Sequence, residues 1–159
     1  MLGKTAAHIF WIFRYLERCE NTARLINASH FISLTQKQNI DNHWDSILNV
    51  AGNKKAFLSK YGAINKSGVI NFILRDKTNP SSVLSSIENA RQNARIVRNN
   101  LTKELFETIN ETYLKLSEIF RRPINEKNLL NTLATIRTKC QLTRGTLHGT
   151  CLLYTSPSP

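Results

Sequence analysis

Chain breakers are scarce in this sequence. Its 159 residues include only 6 glycines and 4 prolines, and two of those prolines fall in the last three positions. This scarcity excludes a turn-rich β sandwich or barrel and favours long helices. Long apolar runs are also missing. None reaches about 18 residues, so no ordinary membrane-spanning helix is expected. The 3 cysteines and 4 histidines are isolated, without a CxxC pair or a histidine at ligand spacing. That argues against a structural zinc site or a disulfide scaffold. HExxH, Walker A, GxGxxG and GxSxG patterns are lacking. No metal and no cofactor are therefore expected. A signal-peptide layout is missing too. Ala6 to Phe13 runs straight into Arg14, Glu17 and Arg18 with no small-residue cleavage site, which leaves the cytoplasm as the default location.

Acidic charge is the other shortage. Asp+Glu total 11 against 22 Lys+Arg, a formal net charge of +11. A basic chain attracts nucleic acid, anionic membrane or acidic partners. Here the basic residues are scattered, with no run longer than Lys54-Lys55 or Arg121-Arg122, whereas a nucleic-acid footprint clusters. The abundance of Asn, Lys and Ile, all with AT-rich codons, supplies surface lysine without any polyanion. Nucleic-acid binding is kept as an alternative below the others. Hydrophobic residues at 41% and charged residues at 21% place the chain among globular proteins and not among disordered ones.

The last nine residues, Cys151 to Pro159, back-translate in frame as TGT CTC TTA TAC ACA TCT CCG AGC CCA, which looks like the transposon-end adapter of sequencing libraries. They are set aside from fold reasoning as an artefactual tail. The domain is expected over residues 1–150, and Cys19 and Cys140 are its remaining cysteines.

Periodicity predicts helices throughout. They cover about 5–34 (with a break near Asn27 to His30), 42–50 ending at Gly52, 54–60 stopped by Gly62, 67–74, 80–98, 102–121 and 126–144. Val69 to Leu74 is the one run ambiguous between helix and strand. Asn79-Pro80 opens the fifth helix as N-cap and first helical residue. Val83, Ile87, Ala90, Ala94 and Val97 share a face there, and the alanines permit close helix approach. Leu105, Ile109, Tyr113, Leu116 and Phe120 share a face on the next. The expected architecture is all-α, an antiparallel helical bundle. Trp44 reads as a core anchor.

The first helix opens apolar nearly all round, with Ile9, Phe10, Trp11, Ile12 and Phe13, a pattern of buried helices. It then becomes charged. At 100° per residue Arg14, Glu17, Asn21 and Arg24 fall in an arc of about 80°, flanked by Glu20 on one side and Arg18 on the other. On spacing alone this reads as a solvated face with pairs such as Glu20–Arg24, each worth a few tenths of a kcal/mol. The alternative is a partly buried polar network, which requires partners from other helices or a ligand. Carboxylates beside guanidinium groups suit an anionic or zwitterionic ligand or a protein partner. A second stripe, Arg91, Arg95 and Arg98, suits carboxylate or phosphate recognition. Its expected use is pairing with Glu17 or Glu104 on a neighbouring helix. In the loop Asp76 to Ser82 the free N–H groups of the first helical turn suit an anion, but the segment is read as capping by Asn79 and the serines.

The segment Phe10-Trp11-Ile12-Phe13-Arg14-Tyr15-Leu16-Glu17-Arg18-Cys19-Glu20-Asn21-Thr22-Ala23-Arg24-Leu25 resembles the opening of the bacterial alpha-E domain family. Cys19 stands where alanine is usual. The similarity resumes at Asp76, at Asn79-Pro80-Ser81-Ser82 and at Ala90 to Arg98, where Gln92 replaces a more usual glutamate, with Glu104 and Asn110 downstream. The resemblance implies that residues 1–150 are the first half of a domain about twice as long, so a truncated bundle is expected. A second glutamate–arginine-rich helix would lie in the other half. It implies no reaction. It does imply a setting: such domains are encoded beside, or fused to, ATP-grasp carboxylate–amine ligase-like and transglutaminase-like proteins.

The leading expectation from this resemblance is a helical accessory or scaffold protein for peptide or amide synthesis or modification, with Arg14, Glu17, Arg18, Glu20, Asn21, Arg24, Arg91, Arg95, Arg98 and Glu104 as recognition residues. The alternative is an enzyme with Glu17 or Glu20 as general base.

Overall fold

The computed structural model describes residues 2–35, 40–51 and 54–155, with side chains described over 3–35, 43–51 and 54–146. Seven α-helices lie among them. They are α1 (Leu2–Thr35), α2 (Ile40–Val50), α3 (Lys54–Tyr61), α4 (Lys66–Arg75), α5 (Val83–Ile96), α6 (Lys103–Ile119) and α7 (Glu126–Thr155). No strand occurs among the described residues, and Val69 to Leu74 resolves as helix. None of the helices is long and apolar enough to cross a membrane.

Four helices close into a ring of neighbours: α1 packs on α5, α5 on α6, α6 on α7, and α7 back on α1. Cross-helix bonds fix their directions. His8 near the start of α1 bonds Asn93 near the end of α5 at 2.7 Å. Further along α1, the Cys19 thiol donates to the Val83 carbonyl at the start of α5. These two helices are therefore antiparallel. Arg91 meets Asn110 and Arg98 meets Phe106, so α5 and α6 run antiparallel too. Short connections enforce the same relation between sequential helices. The helices α2, α3 and α4 form a side layer against α1 and α5.

The core follows the apolar faces. Val83, Ile87, Ala90, Ala94 and Val97 are all buried, as are Leu105, Ile109, Leu116 and Phe120, while Tyr113 is half-buried. Trp44 is fully buried and anchors α2. Burying each large side chain stabilises by about 1.5–3 kcal/mol. Cys19 and Cys140 are unbridged and buried side by side between α1 and α7. The hydrogen bond with Cys140 and burial push the Cys19 thiol well up, so the pair behaves as small apolar groups.

Several local expectations need correction. The first helix shows no break at 27–30: the Ser29 and Ser33 hydroxyls turn back onto the Leu25 and His30 carbonyls and satisfy themselves within the helix. Its opening turns are not internal. Phe10 and Trp11 are half exposed, because α5 and α7 cover only one side of α1. The fifth helix is capped by Ser82, whose Oγ accepts from Ser85 N at 3.1 Å, and Pro80 lies before it. Asn79 is used inside the loop instead. It donates to the Phe72 carbonyl and accepts from Ser81 N.

The stop at Gly62 behaves as read. Gly62, at φ +73°, ends α3 in the left-handed region glycine favours. Thr102 caps α6, and Asn125 and Asn128 bond each other's backbone N–H at the start of α7. The expected stop at Gly52 and the last four residues of the proposed tail lie outside the described residues.

Candidate functional site

The charged stripe of α1 divides in two. Arg14, Glu17, Arg18 and Asn21, together with Thr22 and Leu25, line a cleft of about 510 Å³. Its far wall is built from Val50 and Ala51 at the end of α2, Ile73 of α4, and Asn79 and Ser81 of the loop before α5. Glu20, which flanks the arc, faces α7 instead and holds Arg24 beside it.

The cleft side is open and lightly paired. Arg14 donates to Glu17 at 2.6 Å, and both side chains are about half exposed, at 53% and 44%. Arg18 is exposed and makes no ion pair among the described residues. Such an exposed pair stabilises the fold by only about 0–1 kcal/mol.

The α7 side is closed. The Glu20 side chain is only 6% exposed, and its carboxylate accepts from three residues. Arg24 donates at 2.7 Å, Gln141 at 3.0 Å and Arg144 at 2.7 Å. Burial pushes the Glu20 carboxyl up, but the hydrogen bonds from Arg24 and Gln141 and the Arg144 charge outweigh it and leave it below its ordinary value. The partners from α7 lie 121 and 124 residues away in sequence.

The loop that forms the cleft wall is held by Asp76. Its carboxylate accepts from Lys60 (2.7 and 2.9 Å), from the Tyr61 hydroxyl (2.8 Å), and from the Thr78 amide (2.9 Å) and hydroxyl (2.7 Å). Burial raises the Asp76 pKa, yet these donors hold it at about 2. Partial burial and the neighbouring carboxylate push Tyr61 up to about 12. Asp76 O then accepts from Asn79 N, and Asn79 O from Ser82 N, so consecutive turns carry Ser81 to the cleft. The α3 helix thus fixes the wall of a site that it does not line.

The second arginine stripe does not join the first. Arg91 donates to Asn110 Oδ1 at 2.7 Å and lies 4.6 Å over the Tyr113 ring. Arg98 stacks 4.7 Å over Phe106. Arg95 is exposed and makes no ion pair among the described residues, and Glu104 is exposed in the first turn of α6. The expected pairing with Glu17 or Glu104 is therefore replaced by aromatic faces and an amide. The reason is geometric. The stripe sits beside the α5–α6 contact, where aromatic side chains cover the guanidinium groups. Among the described residues no group of three or more His, Cys, Asp and Glu is placed to hold a metal ion.

Gln141 and Arg144 escaped the sequence reading, although both lie on the predicted last helix at i, i+3. Lys60 and Tyr61 escaped too, because their link to Asp76 is tertiary. Asn79 and Ser81 were singled out as capping residues and not as the wall of a site, and Asp76 as a point of family resemblance and not as the loop's anchor.

No curated protein and no solved structure matches the chain. A family model does, over residues 1–153, and its description is of an alpha-helical domain with a conserved ER motif. The chain's one Glu-Arg dipeptide is Glu17-Arg18, and both residues line the cleft. By this match across nearly its whole length, the chain belongs to the Alpha-E family.

Proposed function

We propose that this domain is a binding module and not a catalyst, with the α1 cleft as its recognition centre. One observation carries the reading: Glu17 and Arg18 open into a cleft instead of being used up in helix packing. Structural charges in the same helix look different, as Glu20 with its three donors demonstrates. The cleft combines guanidinium groups, a carboxylate, amides and hydroxyl residues with aliphatic side chains, and its volume suits a small ligand or a peptide segment.

Neither glutamate is set up as a general base. Glu17 is bonded to Arg14, and the buried Glu20 is held ionised by its partners, where a catalytic carboxylate needs a pKa raised toward the working pH. Nucleic-acid binding also fits poorly. The cleft contains a carboxylate, and the α5 arginines lie against aromatic rings.

The partners we propose are the ATP-grasp ligase-like and transglutaminase-like proteins implied by the alpha-E resemblance, with this domain positioning substrate or partner for amide chemistry. Co-expression with an ATP-grasp ligase-like protein tests this. Glu17→Gln and Arg18→Gln are expected to weaken capture of that protein while Lys103→Gln leaves it unchanged. Undiminished capture by both cleft variants would overturn the reading.

A further inference from the structure

Resting on the reading of the cleft as a recognition centre, we infer that its ligand is a free α-carboxylate attached to an aliphatic body, as in a peptide C-terminus or an amino acid. The argument starts from charge. Three ionised groups line the cleft: Arg14, Glu17 and Arg18. Arg14 and Glu17 neutralise each other at 2.6 Å. Arg18 is left as a single uncompensated guanidinium. One monoanion balances it. A phosphate dianion would leave surplus negative charge beside Glu17.

Geometry agrees with charge. A guanidinium offers a planar fork that matches a carboxylate with two parallel hydrogen bonds. Asn21 projects from the same side of α1 and adds neutral hydrogen-bonding capacity at the same mouth. The far wall brings the aliphatic Val50, Ala51 and Ile73 together with the polar Asn79 and Ser81, and Leu25 adds an aliphatic group from α1. A ligand with an anionic end and an apolar side chain uses both the guanidinium and these aliphatic groups; a phosphate leaves the aliphatic groups unused. The approximate 510 Å³ lies within the range of about 300–1,000 Å³ typical of small-ligand clefts. The Asp76-anchored loop holds the far wall in place before any ligand arrives, which lowers the ordering cost of binding.

The test is calorimetric titration of the protein with N-acetyl-L-alanyl-L-leucine, its C-terminal amide, free L-leucine and inorganic phosphate. The dipeptide is expected to bind, and its amide to bind at least about tenfold more weakly. Arg18→Gln is expected to lose at least about tenfold, and Arg18→Lys less, because a lysine keeps the charge but not the fork. Unchanged thermal melting of both variants separates lost recognition from lost folding. The tighter of leucine and dipeptide identifies the source, amino acid or peptide terminus, and either result supports the inference. Equal binding of the amide, tighter binding of phosphate, or no binding by the dipeptide and leucine overturns it. If no carboxylate binds but cleft variants still release the ligase-like protein, this inference falls and the binding-module reading stands. If carboxylates bind through Arg18 while partner capture ignores Glu17 and Arg18, partner docking at the cleft falls and the carboxylate site stands.

Discussion

The two sides of α1 carry the same residue types to opposite ends. Toward α7, Glu20 is buried under Arg24, Gln141 and Arg144 and ties two helices together. Toward the cleft, Glu17 and Arg14 bond only each other and Arg18 has no ion-pair partner among the described residues. Glu17 and Glu20 are three positions apart, about 60° around the helix. What separates their roles is the neighbour: α7 lies over one, whereas the other opens into a cleft walled by the end of α2, Ile73 of α4 and the loop before α5. A charged residue belongs to the fold when its partners come from another element. It is available for recognition when its only bonds lie along its own helix.

The largest expected effect is on the closed side. Glu20→Ala leaves Arg24, Gln141 and Arg144 facing a buried gap, and urea unfolding is expected to show a loss of about 2–3 kcal/mol. That lies below the roughly 3–5 kcal/mol of a wholly buried pair, since both arginines reach solvent. Next comes Asp76→Asn, at about 2 kcal/mol, taken from the depression of the Asp76 pKa. The sign follows from that depression. Because the folded-state pKa of about 2 lies below the ordinary 3.8, the stabilisation is complete above about pH 3.8 and is lost as pH falls through about 2. Stability measured from pH 5 to pH 2 should therefore fall less in Asp76→Asn than in the wild type. The same substitution loosens the cleft wall, so it also weakens binding, whereas Glu20→Ala spares binding in whatever fraction stays folded. Ser82→Ala removes the α5 cap and is expected to cost about 1 kcal/mol. Arg14→Ala, on the open side, should change stability by under about 0.5 kcal/mol, because an exposed i, i+3 pair contributes little.

Much of this arrangement was legible in the sequence, for physical reasons. Breaker scarcity and 3.6-residue periodicity specified the bundle and the buried faces of α5 and α6. The arc of Arg14, Glu17 and Asn21 was visible as a stripe because helix geometry alone puts those residues together. What faces the stripe was not visible. Glu20 differs from Glu17 through Gln141 and Arg144, and no local pattern shows which glutamate a helix more than a hundred residues away will cover. The aromatic partners of Arg91 and Arg98 were hidden for a related reason. A guanidinium stripe is equally consistent with carboxylates and with ring faces, and only packing of α5 on α6 selects the rings. The opening of α1 misled because apolar residues all round suggest burial, yet neighbours cover only one side. Asn79-Pro80 misled because a helix start was written there, while the Asn79 side chain found partners within the turn and passed the cap to Ser82.

Urea unfolding of Arg18→Gln, run beside Glu20→Ala, tests the division of α1 most directly. An Arg18→Gln midpoint and slope equal to the wild type, with a clear loss for Glu20→Ala, is the predicted result; a loss in Arg18→Gln as large as that in Glu20→Ala would contradict it, since Arg18 would then be part of the framework and not of a binding surface.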